Sequence, residues 1–376
     1  MARYIHLLNK WPEFTWDPQA ILPFLSGARH KQGRLKGYME ALGFILRTDT
    51  SLQTITMDVI KSSEIEGEFL SPDQVRSSIA RKLGMDIAGL VPSDRNVDGV
   101  VEMMLDATQN FYKPLTRDRL FGWHSAMFPS GRSGMHKIKV GGWRNSRQGP
   151  MQVVSGPMGR EKIHFEAPES KRVPKEMQTF LKWLNTKDNS DPVLKSAIAH
   201  LWFVTVHPFD DGNGRIARAI ADMQLAKADG DNQRFYSMSA QIRLDRKTYY
   251  STLEKTQHGN LDITEWLIWY FQCLDKALNE TDKKLQRVLG KTRFWDKHLK
   301  TEVNERQRLL INKLFDGFHG HLTSSKWAKI AGCSSDTALR DIQDLITKNI
   351  LEKEQGGGRS THYILKDFPA NNLVNT

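Results

Sequence analysis

The sequence predicts a mainly α-helical protein with one β-hairpin in its middle and a smaller unit of helices and strands near its C-terminal end. Three observations predict this fold class. Apolar residues recur at helical spacing on both sides of a glycine-containing loop, over 191–206 and 215–228. Two short β-prone runs flank a turn-rich segment within 140–168. Three helical patterns followed by two short strands occupy 304–365.

The N-terminal part of the chain predicts helices. A helical pattern follows Pro18, and proline is favoured in the first turn of a helix. A second helix is predicted where Leu52, Ile55 and Val59 recur at helical spacing, and Gly67 is suited to end it.

The hairpin is predicted between 140 and 168. Its strands are Gln152–Val154 and Lys162–Phe165, and the turn-rich run Ser155–Gly159 separates them. An ordinary surface hairpin and a functional flap are both compatible with this pattern.

A helix, a loop and a second helix are predicted from Asp191 onward. Asp191 and Pro192 form a helix start, and His207 stands at the end of this buried helix. Pro208 then disfavours further helix, and two glycines free the backbone before a second helix begins near Arg215.

The loop has the chemistry of a polyphosphate site. Bare N–H groups and the dipole at a helix N-terminus favour an anion, and Arg215 and Arg218, one turn apart, can each bind phosphate oxygens in a forked manner. Asp211 supplies a hard oxygen ligand for Mg²⁺. His207 is the available proton acceptor.

The stretch from His207 to Arg218 resembles the Fic family, whose signature is His-x-Phe-x-(Asp/Glu)-Gly-Asn-(Gly/Lys)-Arg, extended in many members by a second arginine three residues on. Every position of the signature is matched. The resemblance implies a helical Fic core with a hairpin flap. It also implies transfer of AMP from ATP to a hydroxyl side chain of a target protein, with pyrophosphate leaving.

The resemblance also implies roles for these residues. His207 would deprotonate the attacking Ser, Thr or Tyr, and Asp211 would hold Mg²⁺ against the α- and β-phosphates. Arg215 would contact the β-phosphate region and Arg218 the γ-phosphate. The anion hole would consist of Gly212, Asn213 and Gly214.

An upstream segment matches the Fic inhibitory motif, (Ser/Thr)-x-x-x-Glu-(Gly/Asn). Ser62, Glu66 and Gly67 occupy its defined positions. The match implies that Glu66 pairs with Arg218 in place of the γ-phosphate, as in the Fic class that carries its inhibitor as an N-terminal helix. The small helical segment ahead of it resembles a domain found in front of some Fic cores.

The resemblance further implies a flap and an adenine pocket. Fic flaps pair main chain with the target segment, and the flap residues expected beside the nucleotide are Lys162, Ile163, His164 and Phe165. The candidates for the adenine pocket are Tyr249, Tyr250 and Gln257.

The C-terminal part resembles a winged helix-turn-helix. Its predicted helices are 304–315, 323–331 and 334–348, and its strands 350–354 and 361–365 flank a run of three glycines and Arg359. That fold would place Thr337 and Arg340 near bases and Arg359 near phosphates. The segment 301–376 carries 10 basic and 9 acidic residues, and this near-neutral balance favours a protein-contact or dimerisation module over DNA binding.

These readings divide the chain into six parts. A polar helical linker rich in Lys and Arg separates the core from the C-terminal unit. The predicted divisions are an N-terminal helical segment at 1–50, an inhibitory-helix region at 51–112, a catalytic core at 113–278, the linker at 279–300, the winged helix-turn-helix at 301–368 and a tail at 369–376.

Composition and charge narrow the function further. The net charge is +11, and the segment 113–175 alone holds 13 basic and 4 acidic residues, a balance that suits ATP or an acidic target. No run is long and apolar enough for a membrane span, and no signal peptide is recognised, so a cytoplasmic protein without a membrane partner is expected. Cys273 and Cys333 are too few for a disulfide framework.

The sequence thus predicts an autoinhibited protein adenylyltransferase that uses ATP and Mg²⁺. Modification of the chain itself, and a homodimer, are further outcomes to test. The alternatives are the same site removing AMP or using another nucleotide donor, and a DNA-binding regulator with an ATP-sensing Fic core.

Overall fold

The computed structural model describes residues 4–41, 44–145, 149–156, 160, 162–315, 318, 320–354 and 361–366. The described chain is mainly helical, as predicted. It divides into two compact units, Met1–Asn279 and Glu280–Thr376.

Most helices belong to the first unit. A short 3₁₀ turn, Ile5–Leu7, precedes them, and another, Ser170–Arg172, leads into the sixth. In chain order the helices are α1 (Pro18–Ala41), α2 (Phe44–Ile65), α3 (Pro72–Lys82), α4 (Arg95–Gln109), α5 (Arg117–Met127), α6 (Val173–Asn185), α7 (Pro192–Val206), α8 (Asn213–Asp229), α9 (Met238–Leu244), α10 (Arg246–Gln257) and α11 (Thr264–Lys297).

Side-chain caps explain where several helices begin. The Asp191 carboxylate accepts a hydrogen bond from the Val193 N–H and Pro192 opens α7, so the predicted start is confirmed. Helix α8 begins at Asn213, two residues before the predicted Arg215. It ends at Asp229, and Gly230 follows in the left-handed conformation that glycine tolerates.

The strands form antiparallel pairs. Strands β1 (Arg132–Ser133) and β2 (His136–Lys137) make a short hairpin, and β3 (Gln152–Ser155) pairs with β4 (Lys162–Glu166). The predicted middle hairpin is therefore confirmed, with a shift of register between Val153 and Val154. The predicted turn falls partly outside the described residues.

Helices α7 and α8 form the centre of the first unit. Every residue of α7 from Lys195 to Val206 is buried, and α8 is buried from Arg215 to Ala226. The two helices pack against each other, α4 packs on α8, and α2 packs on α9. The loop between α7 and α8 is thus held by the most buried pair of elements.

The second unit contains α12 (Glu305–Phe315), α13 (Ser324–Ala331), α14 (Ser335–Thr347) and the antiparallel strands β5 (Leu351–Lys353) and β6 (Tyr363–Leu365). Its core includes Leu310, Trp327, Leu345 and Leu351. The elements follow the predicted order. Their assignment to a winged helix-turn-helix stays a prediction, and the predicted phosphate contact, Arg359, lies outside the described residues.

The predicted linker is helical but is not a separate element. Helix α11 begins at Thr264 and continues to Lys297, so the apolar pattern and the polar stretch that follows it share one uninterrupted helix. The predicted divisions 1–50, 51–112 and 113–278 fall within one compact unit. None of the described helices is long and apolar enough to span a lipid bilayer.

Candidate active site

The loop that joins α7 to α8 has a constrained backbone. His207 ends α7 with φ 51° and ψ 59°, a left-handed conformation that is uncommon outside glycine. Gly212 adopts φ 79° immediately before α8. His207 therefore ends α7, and Gly212 turns the chain into the N-terminus of α8.

Two side chains hold the loop's own backbone. The Asn213 amide nitrogen donates to the Phe209 carbonyl at 2.9 Å, and its amide oxygen accepts from the Phe209 N–H at 3.0 Å. The Arg144 Nε donates to the His207 carbonyl at 2.7 Å, and the Arg144 N–H donates to the Pro208 carbonyl at 2.9 Å. The Asn213 side chain therefore braces the loop, while its backbone N–H belongs to the first turn of α8.

His124 of α5 contacts the loop at Asp211 and Phe209. Its Nδ1 lies 3.2 Å from the Gly141 N–H, which can only donate, so its Nε2 carries the hydrogen that faces the Asp211 carbonyl at 3.2 Å. Its ring stacks on Phe209 with centroids 4.3 Å apart. Burial lowers the pKa of His124 to about 4, which keeps this imidazole neutral.

The geometry of His207 suits a general base. Its Nδ1 lies 3.2 Å from the Val204 carbonyl, which can only accept, so Nδ1 carries the hydrogen and Nε2 keeps a free lone pair. Burial, with the Arg144 guanidinium nearby, holds the pKa of His207 below its ordinary value. The ring is therefore neutral and able to take a proton at neutral pH.

The two loop arginines are buried beside the N-terminus of α8. Arg215 and Arg218 are each 2% exposed. Within the described structure, Arg215 Nε and Arg218 Nη1 have no hydrogen-bond partner. Buried donors without acceptors at a helix N-terminus fit a polyanionic ligand.

The inhibitory-motif residues lie on Arg218. The Glu66 carboxylate is 2.8 Å from Arg218 Nη2, and Arg218 Nε donates to the Ser62 hydroxyl at 2.9 Å. Burial acts to lower the pKa of Arg218, but Glu66 and two nearby tyrosines raise it above its ordinary value. An added Cβ at Gly214 would lie only 2.1 Å from Glu66 Oε1, so this carboxylate sits directly over the start of α8.

A second carboxylate from the same segment holds the other arginine. Glu68 Oε2 lies 2.5 Å from Arg215 Nη1. The Arg215 guanidinium also lies over the Phe128 ring, 5.1 Å from its centroid. Both arginines of the candidate anion site are thus paired with acidic residues that follow α2.

Asp211 has a carboxylate already oriented by the protein. One oxygen accepts from the Gly212 N–H at 2.5 Å, and the other accepts from the Ser133 hydroxyl. A carboxylate offers about four acceptor positions, so both oxygens retain capacity for a cation. A fixed single carboxylate beside an anion site fits Mg²⁺, which takes its other ligands from phosphate and water.

A cavity of about 670 Å³ opens next to the loop. A drug-sized or nucleotide-sized ligand needs a volume of this order. Of the residues predicted for the site, those that line it are Glu66, His164, Phe165, His207, Gly214, Tyr249, Tyr250 and Gln257. The structure therefore brings the inhibitory segment, the loop, part of the flap and the adenine candidates around one space.

The flap contributes differently from the prediction. His164 and Phe165 line the cavity, but Lys162 and Ile163 do not. Those two residues lie toward the tip of the hairpin, where Ile163 is 49% exposed, because the strand extends past the core that packs on Phe165. Lys162 and Ile163 thus do not line this cavity, and their position beside the nucleotide stays a prediction.

Polar contacts join the flap to α10. His164 Nδ1 lies 2.8 Å from Glu254 Oε2, its Nε2 lies 2.6 Å from the Ser155 hydroxyl, and the His258 ring contacts the His164 carbonyl at 2.8 Å. Tyr249 is 2% exposed and its hydroxyl contacts His200 Nε2 at 3.0 Å, so it is a core residue as well as a wall of the cavity.

Sequence reasoning missed several residues of the site. His124, Ser133, Arg144 and Glu68 all contact the loop or its arginines. Most of them act on partners far along the chain, as with His124 and Asp211, which are 87 residues apart. Glu68 is only two residues after Glu66. This closeness to the inhibitory motif was the one sequence signal that could have indicated a contact with a loop arginine.

The loop lies in a part of the chain that matches a known family. Residues 114–225 match the model of the Fic/DOC family. Residues 4–85 match a domain of unknown function, DUF4172. A crystal structure of a Fic family protein from Desulfovibrio desulfuricans shares the fold with a TM-score of 0.54, covering 95% of this chain and 99% of that one at 22% identity.

Curated relatives of the domain are named as adenylyltransferases. A probable protein adenylyltransferase of Aquifex aeolicus is 26% identical over 178 residues, which are 47% of this chain and 50% of the relative. The protein adenylyltransferase Fic of Nematostella vectensis is 32% identical over 115 residues, 30% of this chain and 25% of the relative. The chain thus spans half or less of the length of these relatives.

Proposed function

We propose that the protein is an autoinhibited adenylyltransferase, which transfers AMP from ATP to a hydroxyl group of a protein and releases pyrophosphate. The observation that carries the proposal is the arrangement around the cavity. A neutral histidine with a free Nε2 stands beside a helix N-terminus that carries two buried arginines. The names of the curated relatives support the same chemistry.

His207 would act as the general base. Its Nε2 would take the proton of the Ser, Thr or Tyr hydroxyl as the oxygen bonds to the α-phosphorus of ATP. The bond from that phosphorus to the oxygen that bridges to the β-phosphate breaks, and pyrophosphate departs. A hydroxyl has a high pKa, so a positioned and neutral base is needed for this step.

The loop would neutralise the phosphates. Arg218 would bind the γ-phosphate, Arg215 the β-phosphate region, and the backbone N–H groups at Gly212, Asn213 and Gly214 would bind the phosphate oxygens at the N-terminus of α8. Asp211 would hold Mg²⁺, which supplies charge neutralisation for the phosphates when bound. The cavity wall formed by Tyr249, Tyr250 and Gln257 would accept the adenine.

Glu66 would inhibit the forward reaction. Its carboxylate occupies Arg218 at 2.8 Å and overlies Gly214, which is where the γ-phosphate would otherwise bind. Ser62 supports this by accepting from Arg218 Nε. A bound ATP would have to displace Glu66 from the buried Arg218 or bind with its γ-phosphate in another position.

The second unit would contact protein. Two of the three acidic residues of α14 are paired within the unit. Arg306 binds Asp341 through Nε at 2.9 Å and through Nη2 at 3.0 Å, and Lys348 binds Asp344 at 2.6 Å. Leu339 on the same helix is 50% exposed. A near-neutral unit with an exposed leucine on this helix suits a protein surface more than a phosphate backbone.

The test is mass spectrometry of the purified protein, with and without candidate targets, after incubation with Mg²⁺ and ATP. Glu66→Gly should acquire the mass of an AMP group, or acquire it faster than wild type. His207→Ala should acquire none.

A lack of AMP transfer by His207→Ala supports the role of His207 as the base only if this variant still binds ATP. Calorimetry with ATP provides this control. Adduct formation that persists in His207→Ala, or that is lower in Glu66→Gly than in wild type, would overturn the proposed roles.

A further inference from the structure

Two histidines and one glutamate meet at the end of the β5–β6 hairpin where the connecting loop begins. His321 Nδ1 lies 3.0 Å from Glu354 Oε2, and His362 Nδ1 lies 3.7 Å from the same oxygen. The candidate ligand atoms of these three residues all lie within 4.8 Å of one another. Among the described residues, no other group of three His, Cys, Asp or Glu side chains has this spacing.

The backbone fixes the three residues on one face. Lys353 pairs with Tyr363, so Glu354 stands opposite His362, and the Glu354 N–H donates to the His362 carbonyl at 3.0 Å. Leu322 bridges Tyr363 from the other side. Alternation along strands then directs the side chains next to these core residues to the opposite, outer face.

The core side of the same residues confirms this orientation. Leu322, Tyr363 and Leu351 are buried in the core of the second unit, at 2%, 7% and 1% exposure. His321 and His362 are the neighbours of Leu322 and Tyr363, and Glu354 is three positions after Leu351, so alternation directs all three side chains away from the core. Backbone pairing of the segments at 321–322, 351–354 and 362–365 therefore brings the three side chains together.

We propose that His321, Glu354 and His362 form a binding site for a divalent transition-metal ion, with Zn²⁺ as the best match. Two imidazole nitrogens and one carboxylate oxygen are a common set of three protein ligands for zinc, with water as a fourth ligand. Mg²⁺ prefers oxygen ligands, so this site differs in chemistry from the one at Asp211.

Binding requires a small local adjustment. The imidazole rings of His321 and His362 are stacked, with centroids 4.1 Å apart and planes inclined by 9°. A metal lies in the plane of each ligating ring, so one ring must rotate. The side chain of His321 is 61% exposed and has room to do so. The ion would then tie the hairpin to the segment that precedes α13.

The experiment is calorimetric titration of the chelator-treated full chain with Zn²⁺ alone. Wild type should bind one ion per chain. His362→Ala and Glu354→Gln should each bind at least ~10-fold more weakly, because second-shell changes alone already cost that much in other sites. Co²⁺ should give the absorption of a nitrogen- and oxygen-ligated ion in wild type and lose it in both variants.

Matched controls separate this site from others on the chain. His136→Ala removes an exposed histidine in β2 of the first unit. Cys333→Ala removes the thiol of the second unit, which holds the proposed site, and His207→Ala removes the histidine of the α7–α8 loop. All three should bind Zn²⁺ as wild type does. Circular dichroism checks the folding of each variant, and the near-isosteric Glu354→Gln keeps the test valid if His362→Ala fails to fold.

The proposal is independent of nucleotide transfer. It is overturned if wild type shows no saturable Zn²⁺ binding, or if folded His362→Ala or Glu354→Gln binds the ion with unchanged affinity and spectrum. Loss of binding in Cys333→Ala or His207→Ala alone would assign the ion to another site and would also overturn it.

Discussion

At His207, backbone conformation and chemistry depend on each other. The left-handed φ of 51° ends α7, and the ring then reaches the Val204 carbonyl through Nδ1, which leaves Nε2 available for the proposed proton transfer. The signature identified this residue from sequence alone. It could not reveal Arg144, which binds the His207 carbonyl from 63 residues away, because no local pattern encodes such a contact.

The lowered pKa of His207 predicts a pH dependence. A base whose pKa is depressed is protonated only at lower pH, so activity should be lost as the pH falls through a value below the ordinary ~6.5. The measurement is kcat/KM against pH in Glu66→Gly. Glu66 raises the pKa of His207, so its removal moves the midpoint further down. A midpoint at or above the ordinary value would contradict this prediction.

Glu68 is expected to act as a second brake. Its pairing with Arg215 would compete with the proposed contact to the β-phosphate region, so Glu68→Gln in the Glu66→Gly background should bind ATP more tightly. The Glu68 side chain is 43% exposed, and an exposed pair contributes at most about 1 kcal/mol, so the gain should reach about fivefold.

Calorimetry with ATP measures this gain, and Glu64→Gln is the matched control. Glu64 pairs with Lys61 and Arg243 instead of a loop arginine. Equal affinity in Glu68→Gln and its parent, or an equal gain in Glu64→Gln, would refute a specific role for Glu68.

At the scale of elements, the α7–loop–α8 unit and the β3–β4 hairpin were both predictable, because their periodicities and turn residues are local. The wall of the cavity was only partly predictable. Val153, Val154 and Ser155 line it together with Glu254 of α10, and this depends on how the hairpin packs against a helix about 90 residues later. The exposed tip at Ile163 shows the same limit, since alternation alone does not tell where a strand leaves the core.

The contact between His164 and Glu254 should hold the hairpin on α10. Glu254→Ala is expected to speed hydrogen exchange in Gln152–Ser155 and Lys162–Glu166 by roughly fivefold, the effect of about 1 kcal/mol for one partly exposed charged hydrogen bond. Hydrogen-exchange mass spectrometry measures it. Glu265→Ala, which removes the exposed pair with Lys255, should leave these strands unchanged. Equal exchange in both variants would show that the contact does not anchor the hairpin.

At the scale of the whole molecule, the sequence predicted a helical core followed by a distinct C-terminal unit. The boundary between the compact units falls between Asn279 and Glu280, inside α11. Composition marked the polar stretch but could not show that it continues the helix from Thr264, since a change from apolar to polar residues does not interrupt helical hydrogen bonding.

Two compact units with separate cores should respond to ligands separately. ATP with Mg²⁺ is expected to raise the melting temperature of the first unit, and Zn²⁺ that of the second, because a ligand stabilises the folded state it binds. Differential scanning calorimetry of the full chain, with each ligand alone and then both, measures this. A single transition that both ligands shift equally would contradict independent units.

The most direct test of the central claim compares two labels on the same nucleotide. Glu66→Gly is incubated with Mg²⁺ and ATP labelled on the α-phosphate, and in parallel with ATP labelled on the γ-phosphate. AMP transfer predicts covalent label from the α-position alone, and none from either position when His207→Ala is added to Glu66→Gly. Label from the γ-position, or α-label that survives the loss of His207, would contradict an adenylyltransferase that uses His207 as its base.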